Sequence, residues 1–397
     1  YIRSKKDGFS SPSNPNTPNY SGPGDDSFYP GKTINFDAQK VWDRMGKHSV
    51  VAGINWKKES FEQKRRELTN WRNHSSFDST TYPGGLYEIN KGATNNLALF
   101  VQDTYRPNFN WAIYTGLRID RFKKFDGQHV TYDTTNNRYD TVNHGEGSYT
   151  EWSPRLAIEH YVTDSLNVYA SYGHSFNPPP LSQVYRYTDV VRANPNLDPE
   201  RSDTFEVGMK KEWGTKTALN LSAFYVKTKD KVKYVTHYDN NGDVDYKMYE
   251  NVDQETRRGI ELELRHQLSS KWSVFGNYTW QMGRIKHKDL PNTNASGYEE
   301  INYDIPKHIF HAGLEYTNGK WNALWDAQYV SRRQSVDDIT GQYGSSDSYF
   351  ISNVAMNYKF SKEATLQLGI QNVFNRVFFD DEATAGRTYS ASMKFKF

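Results

Sequence analysis

The stretch "YSASMKFKF" from Tyr389 to Phe397 decides the fold class, because all of its residues obey a period of two. The odd positions carry Tyr389, Ala391, Met393, Phe395 and Phe397, and the even positions carry Ser390, Ser392, Lys394 and Lys396. Successive side chains of a strand point to opposite faces, so this pattern predicts a β-strand with one apolar and one wet face. A helix would scatter the same side chains around its circumference.

The same alternation recurs upstream, with an apolar side chain at every second position. The stretches are Leu366 to Ile370, Leu219 to Tyr225, Trp272 to Trp280 and Trp321 to Tyr329. The alternation has exceptions, since Phe224, Phe275 and Leu324 fall on the otherwise polar face of their strands. The repetition predicts an all-β chain of two-faced strands.

The composition fits a wall between lipid and water. Only 36% of the 397 residues are hydrophobic and the mean hydropathy is −0.88, yet 15% are aromatic. Disordered chains are poor in aromatics, whereas a barrel wall needs few apolar residues and many amphipathic rings near the headgroups. No apolar run reaches the roughly 18 residues of a membrane-spanning helix, but a barrel strand needs only about 10 alternating residues.

Charge, cysteine content and the first residue set further limits. The net charge of +2 gives no reason to expect nucleic acid as a partner. With no cysteine, disulfides and thiolate metal sites are excluded. The sequence starts at Tyr1 without a start methionine or signal sequence, so we expect a mature or truncated chain.

Connections between the strands alternate in length. Tight turns are predicted around Met45-Gly46, Pro107-Asn108, Thr163-Asp164, Gly214-Thr215, Ser269-Ser270, Asn318-Gly319 and Ser361-Lys362. Long polar stretches separate them at 64–94, 123–149, 177–200, 229–256, 286–307, 332–348 and 374–386. Short turns on one side and long loops on the other are typical of outer-membrane barrels. Counting from a strand at Tyr1–Phe9 predicts about 16 antiparallel, up-and-down transmembrane strands; a secreted sandwich or propeller is the alternative.

Four segments, in order along the chain, resemble signature stretches of TonB-dependent outer-membrane receptors. They are "YASYGHSFNPPPLSQVY" (Tyr169 to Tyr185), "NPNLDPERSDTFEVGMK" (Asn194 to Lys210), "RRGIELELR" (Arg257 to Arg265) and "GIQNVFNR" (Gly369 to Arg376). The terminal strand ending at Phe397 resembles the signal read by the outer-membrane assembly machinery.

The resemblance implies a 22-stranded barrel that is filled by an N-terminal plug and located in the outer membrane of a Gram-negative bacterium. About 16 strands here would make residues 1–397 the C-terminal part of that barrel, with the plug and first strands upstream. The expected partners are TonB, reached through the plug, and outer-membrane lipid and lipopolysaccharide; a monomer is expected.

The two proline-containing boxes are the first place to look for a ligand. Pro178 and Pro179, followed by the "NPNL" box, resemble the boxes that bound an external loop of haem receptors, where a histidine between them ligates iron. The second box consists of Asn194, Pro195, Asn196 and Leu197. Residues 181–193 contain no histidine, although Tyr185 and Tyr187 are potential haem ligands. The alternative is structural: prolines end a ladder, and the second box leads the chain into the next strand.

Further candidate ligand contacts lie in other predicted loops. The aromatic and imidazole candidates are Trp71, His74, Tyr82 and Tyr87 in one loop and His129 and His144 in the next. Arg186, Arg192, Arg332 and Arg333 suit an anionic ferric chelate, because guanidinium pairs with carboxylate or catecholate oxygens. The tyrosines also suit an interfacial girdle, and the arginines also suit lipopolysaccharide phosphates or neighbouring carboxylates.

Nothing in the sequence resembles an enzyme site. There is no Gly-rich phosphate loop and no HExxH, and "GHSF" at Gly173 to Phe176 lacks the GxSxG spacing. We therefore expect no catalysis and no resident cofactor, the ligand being an iron chelate or haem. The predicted function is TonB-energised uptake of a scarce ligand, with a ferric siderophore as the first choice. Haem, cobalamin or an oligosaccharide are the alternative ligands. The alternative classes of protein are a passive porin and a barrel that exports a passenger.

Overall fold

The structure is a computed structural model, and it describes residues 2–12, 22–188, 190–294, 297–302, 304–336, 343–380 and 382–396. The strands are β1 (Ile2–Pro12), β2 (Gly24–Met45), β3 (His48–Leu68), β4 (Leu86–Asn108), β5 (Trp111–Asp133), β6 (Arg138–Asn143), β7 (Gly147–Thr163), β8 (Leu166–Asn177), β9 (Glu200–Trp213), β10 (Thr217–Tyr238), β11 (Val244–Gln267), β12 (Trp272–His287), β13 (Glu299–Asn302), β14 (His308–Asn318), β15 (Trp321–Val330), β16 (Arg333–Val336), β17 (Tyr343–Ser346), β18 (Tyr349–Lys359), β19 (Ala364–Gln371), β20 (Phe379–Asp380), β21 (Glu382–Ala383) and β22 (Thr388–Phe395). Two single helical turns are a 3-10 helix (Pro83–Gly85) and α1 (Leu181–Val184). No helix within the described ranges is long and apolar enough to cross a membrane.

One antiparallel sheet contains 18 of these strands. Two of them, β6 and β13, are short additions to the long-loop ends of β5 and β12, which leaves sixteen wall strands paired in chain order. The predicted up-and-down topology and the strand number are therefore confirmed. In the described part of the chain, β1 pairs only with β2 and β22 only with β19.

The wall has an apolar outer face and a polar inner face, as β4 shows. Leu97 and Leu99 are 45% and 57% exposed, whereas Asn96 and Ala98, which alternate with them, are buried. Asn96 Nδ2 donates to Asp120 Oδ1 of β5 at 2.8 Å, so the inner face is held by polar contacts. An exposed apolar face of this kind is what a lipid-facing wall requires.

The terminal strand β22 follows the predicted alternation. It pairs with β19 from Ala364↔Phe395 to Gln371↔Thr388, and Tyr389, Met393 and Phe395 are exposed. Phe397, the predicted assembly signal, lies outside the described residues. Its role stays a prediction.

Exposed tryptophans mark the short-turn side of the wall. They are Trp42, Trp111, Trp213, Trp272 and Trp321, each within a few residues of a short turn. Trp111 stacks on His160 at 4.1 Å between ring centroids. Amphipathic rings at this level are typical of a membrane interface.

Two predicted long loops are mostly strand, and one predicted turn is displaced. In 123–149, β5 continues to Asp133, and β6 and the start of β7 follow. In 229–256, β10 continues to Tyr238 and β11 starts at Val244, with the Tyr234–Tyr249 ring pair at 4.9 Å. The regular alternation disappears there because polar side chains occur on both faces, while backbone pairing continues. The turn predicted around Pro107-Asn108 lies at Phe109-Asn110, because β4 extends to Asn108 and pairs with Trp111.

Candidate ligand-binding site

The connection between β8 and β9 is a folded loop, made up of residues 178–188 and 190–199. Strand β8 ends at Asn177, directly before the first of three consecutive prolines, which lack the N–H group that a ladder needs. Helix α1 follows at once and buries Leu181 and Val184. Together with Tyr185 and Leu197 they form a small core that packs against Phe61 of β3, Val232 of β10 and Tyr249 of β11.

Tyr185 is the central side chain of this core, with 0% of its surface exposed. Its ring lies against the backbone of Gly92 in β4 and Gly127 in β5, where an added Cβ would overlap with the ring. Gly92 is on the inner face, because it alternates with the outward side chains of β4. Burial raises the pKa of Tyr185 to about 12, so the phenol stays neutral.

The "NPNL" box fixes the other end of the folded loop. Asn194 N donates to Val184 O, and Asn194 Nδ2 donates to Tyr249 O of β11, both at 2.8 Å. Asn194 Oδ1 accepts a hydrogen bond from Asn196 N at 3.1 Å, which closes a local turn of the kind that asparagine favours. Leu197 is completely buried, and its carbonyl accepts from Lys124 Nζ of β5.

Strand β11 provides a second attachment. Lys247 N donates to Val190 O at 2.7 Å, and Arg192 N donates to Lys247 O at 2.9 Å. Further along, Asn251 Oδ1 accepts from Asp198 N, and Asn251 Nδ2 donates to Asp198 O. The folded loop is thus tied both to β4 and β5 and to β11.

Tyr187 lies between two imidazoles that come from other parts of the chain. Its ring centroid is 4.6 Å from that of His129 in β5 and 5.3 Å from that of His144, which precedes β7. His129 Nδ1 faces Asn90 Oδ1 at 2.9 Å. Burial, with a smaller contribution from His129, lowers the pKa of His144 below the ordinary value of 6.5. Burial of His144 beside the folded loop therefore favours the neutral imidazole.

Acidification is expected to loosen the folded loop for this reason. Because packing lowers the pKa of His144, the neutral imidazole stabilises the packed loop fully when the pH is above the ordinary value of 6.5. This stabilisation is lost as the pH falls below 6.5, since protonation then favours the unpacked loop. We expect backbone hydrogen exchange across 181–199 to accelerate between pH 8 and pH 5.5 after correction for intrinsic rates. The variant His144→Phe keeps an aromatic ring beside Tyr187 but cannot be protonated, so most of the pH dependence of this exchange should disappear. If exchange in His144→Phe were as pH-sensitive as in the wild type, His144 would not be the group responsible.

Cationic and aromatic side chains cover the exposed surface beside this loop. The Arg192 guanidinium lies 3.9 Å from the Tyr246 ring centroid and 3.4 Å from Asp245 Oδ1. Lys247 Nζ lies 5.8 Å from the Tyr234 centroid, and exposed Arg186 is close enough to Tyr234 to interact electrostatically. We call this surface the mouth patch; it consists of Arg186, Arg192, Tyr234, Tyr246 and Lys247.

Candidates from the β3–β4 loop form a separate group. His74 Nδ1 faces Asp26 Oδ1 at 3.0 Å, and the Arg72 guanidinium stacks on half-buried Trp71. Tyr82 contacts the rings of Tyr87 and Tyr132 at 5.5 and 6.0 Å. These contacts attach the loop to β2 and β5.

Arg332 and Arg333 lie beside the small β16–β17 hairpin, in which Arg333 pairs with Ser346. Arg332 is exposed, and Arg333 has interactions of its own. Their proposed ligand contact stays a prediction, as do those of Trp71, His74 and Tyr82. Within the described ranges, no group of three or more His, Cys, Asp or Glu residues could hold a metal ion.

Comparison with known proteins identifies the family. Residues 2–373 match the family model described as "TonB dependent receptor-like, beta-barrel". The chain belongs to the TonB-dependent receptors. This is a family of outer-membrane receptors and not of enzymes, as the sequence predicted.

The chain is similar to named receptors at low identity. It is 22% identical over 330 residues to the catecholate siderophore receptor Fiu of Escherichia coli K12, covering 75% of this chain and 40% of that protein. It is 24% identical over 252 residues to the ferric-pyoverdine BN7/BN8 receptor of Pseudomonas putida, covering 62% and 28%. The crystal structure of Fiu superposes with a TM-score of 0.69 at 16% identity, covering 94% of this chain and 55% of that one. This chain thus spans less than half the length of these curated relatives.

Sequence reasoning missed one polar cluster of this receptor. Arg201 donates through Nε and Nη2 to both carboxylate oxygens of Glu151 at 2.7 to 3.2 Å, and through Nη1 to Asp230 at 2.6 Å. It joins β7, β9 and β10 where the folded loop returns to the wall. Arg201 stands inside a quoted family-like segment, but its partners are 29 and 50 residues away in sequence.

Proposed function

We propose that the chain forms the wall and ligand-facing loops of an outer-membrane receptor that imports a ferric siderophore with energy supplied through TonB. The observation that carries the proposal is the mouth patch, where the Arg192 guanidinium lies on the Tyr246 ring and the Lys247 ammonium lies within 5.8 Å of the Tyr234 ring centroid. The receptors named for catecholate siderophores and ferric pyoverdine, to which the chain is similar, support the same class of ligand.

The mouth patch suits an anionic chelate that contains flat aromatic groups. A guanidinium pairs with two oxygens at once and also stacks on rings. Tyrosine supplies contact area at low entropic cost. Arg192 pairs with Asp245, but both side chains are about half exposed, so an incoming anion can compete with this weak ion pair.

Haem is the second candidate, because Tyr187 of the folded loop contacts both His129 and His144. Tyrosine is a known haem-iron ligand. These are ring-packing contacts, and His129 Nδ1 already faces Asn90 Oδ1, so this geometry favours haem less than the mouth patch favours an anionic chelate.

Growth under iron starvation tests the function. We expect a strain that lacks the chromosomal receptor gene to lose growth on one ferric siderophore and to regain it with the wild-type gene, but not in a background without TonB. Rescue with haem alone would replace the siderophore proposal with the second candidate. Unchanged growth of the deletion strain on every iron source would overturn both.

The mouth patch makes a sharper prediction for binding. Arg186→Gln with Arg192→Gln should weaken binding of the cognate ferric siderophore by about tenfold or more, since each charge-assisted hydrogen bond contributes about 1.5–3 kcal/mol. Tryptophan fluorescence titration measures this affinity. The control, Lys271→Gln with Lys320→Gln, removes the same charge from the short turns; an equal loss in both variants would show a non-specific charge effect.

A further inference from the structure

We infer that the outer face of β3, β4, β5 and β7 carries a binding site for the phosphate groups of an outer-leaflet lipid, formed by Lys58, Arg121 and Lys123. The site is on the lipid side of the wall, away from the folded loop and the mouth patch. It does not depend on which ligand the receptor imports.

Cross-strand rows on this face change from apolar to basic towards the long-loop end. The first row is Ile54, Leu99, Ile119 and Trp152; the second is Trp56, Leu97, Arg121 and Thr150; the third is Lys58, Asn95, Lys123 and Ser148. Residues paired in an antiparallel sheet share a face, so Lys58, Arg121 and Lys123 stand on the same side as lipid-facing Leu97 and Leu99. They lie at the upper edge of the apolar band.

Local contacts orient the three cationic groups on this face. Lys58 Nζ and Lys123 Nζ are 5.4 and 5.6 Å from the centroid of the same ring, Phe125. Arg121 donates to Thr150 Oγ1 and Ser148 Oγ at 3.0 and 3.1 Å. The Phe125 ring, which both ammonium groups contact, keeps Lys58 and Lys123 near each other without neutralising either charge.

The charge of the cluster is largely uncompensated. Within the described residues, neither Lys58 nor Arg121 has an ion-pair partner, and all three basic side chains are exposed. Lys123 pairs with Glu146 at 2.7 Å, but both groups are more than half exposed, so the pair is weak and exchangeable. The last two rows contain three basic and no acidic residues.

The opposite edge of the apolar band differs in charge. On the same face, towards the short turns, Asp103 lies 2.7 Å from His48. On these strands the basic cluster therefore lies at the long-loop edge, the side on which outer-membrane barrels carry their external loops. Exposed cations at a membrane surface attract anionic headgroups, and two or three converging donors suit a phosphate. A phosphorylated glycolipid of the outer leaflet is the occupant that fits this position.

The test measures how much the receptor, purified in detergent, prefers phosphorylated lipid. We expect the wild type to bind bisphosphorylated lipid A about tenfold more tightly than dephosphorylated lipid A, and Lys58→Gln with Arg121→Gln and Lys123→Gln to lose this preference. The control, Lys271→Gln with Lys320→Gln and Lys362→Gln, removes the same charge from the short turns and should keep it. If the triple variant fails to fold, Arg121→Gln and Lys123→Gln alone should each reduce the preference.

Three outcomes would overturn the inference. One is a folded triple variant that keeps the wild-type preference for phosphorylated lipid A. If the triple variant does not fold, an unchanged preference in both single variants would overturn the inference equally. Another is an equal loss in the short-turn control. The third is displacement of the lipid by inorganic phosphate at equal concentration, which would assign the site to free phosphate.

Discussion

Replacing Arg201 with Met should destabilise the long-loop end of the barrel by about 3–5 kcal/mol, the cost of leaving one partner of a buried ion pair alone. Glu151 is only 8% exposed, and Arg201 supplies all of its charged hydrogen bonds within the described structure. Asp230 is more exposed and should lose less. Hydrogen exchange at the ends of β7, β9 and β10 measures the local effect, and thermal unfolding in detergent measures the global one.

Two further variants decide whether the Arg201 effect comes from the stranded carboxylate. Adding Glu151→Gln to Arg201→Met should recover much of the loss, because no buried charge then remains unpaired. Arg138→Met is the matched control: its ion pair with Asp140 is well exposed and should contribute no more than about 1 kcal/mol. Equal destabilisation by Arg138→Met and Arg201→Met would contradict the ion-pair explanation.

The wall could be predicted from the sequence because lipid on one face and water on the other impose a period of two. That signal placed the terminal strand at Tyr389 and the short turns near Gly46, Gly214 and Gly319. These glycines have φ between 53° and 67°, a conformation that glycine adopts without strain. Where the strands extend beyond the apolar band, as in the Tyr234–Tyr249 hairpin, polar side chains occur on both faces and the regular alternation disappears.

The candidate site was predictable only in part. The prolines from Pro178 onward and the "NPNL" box pointed to the loop that the structure shows to be folded, since these residues shape local backbone. The contact of the Tyr185 ring with Gly92 and Gly127 could not be predicted in the same way. These glycines belong to other strands, and nothing in the sequence indicates that a ring packs against them. His129 and His144 were noticed, but their contact with Tyr187 depends on how the strands are arranged in space.

Removing the Tyr185 ring should release the folded loop while leaving the wall intact. Tyr185→Ala empties the centre of the loop core, and losses of about 3–5 kcal/mol are typical for a fully buried aromatic ring. Hydrogen exchange should therefore increase across 181–199 with little change in the other strands. Phe109→Ala, which removes a fully exposed ring from a short turn, is the control and should change neither region.

Two more substitutions separate the packing role of Tyr185 from the ligand contact that the sequence suggested. Gly127→Ala should loosen the same loop with the tyrosine intact, because the new Cβ overlaps with its ring. Tyr185→Phe removes only a hydroxyl that donates to Gly145 O at the long distance of 3.5 Å, so loop protection and siderophore affinity should both stay near the wild-type values. If Tyr185→Phe instead lowered affinity while loop protection was unchanged, the hydroxyl would have to reach the ligand in the bound state. The packed arrangement would then be one of two positions of the loop, and Tyr185 would be a ligand contact as well as the residue that closes the core.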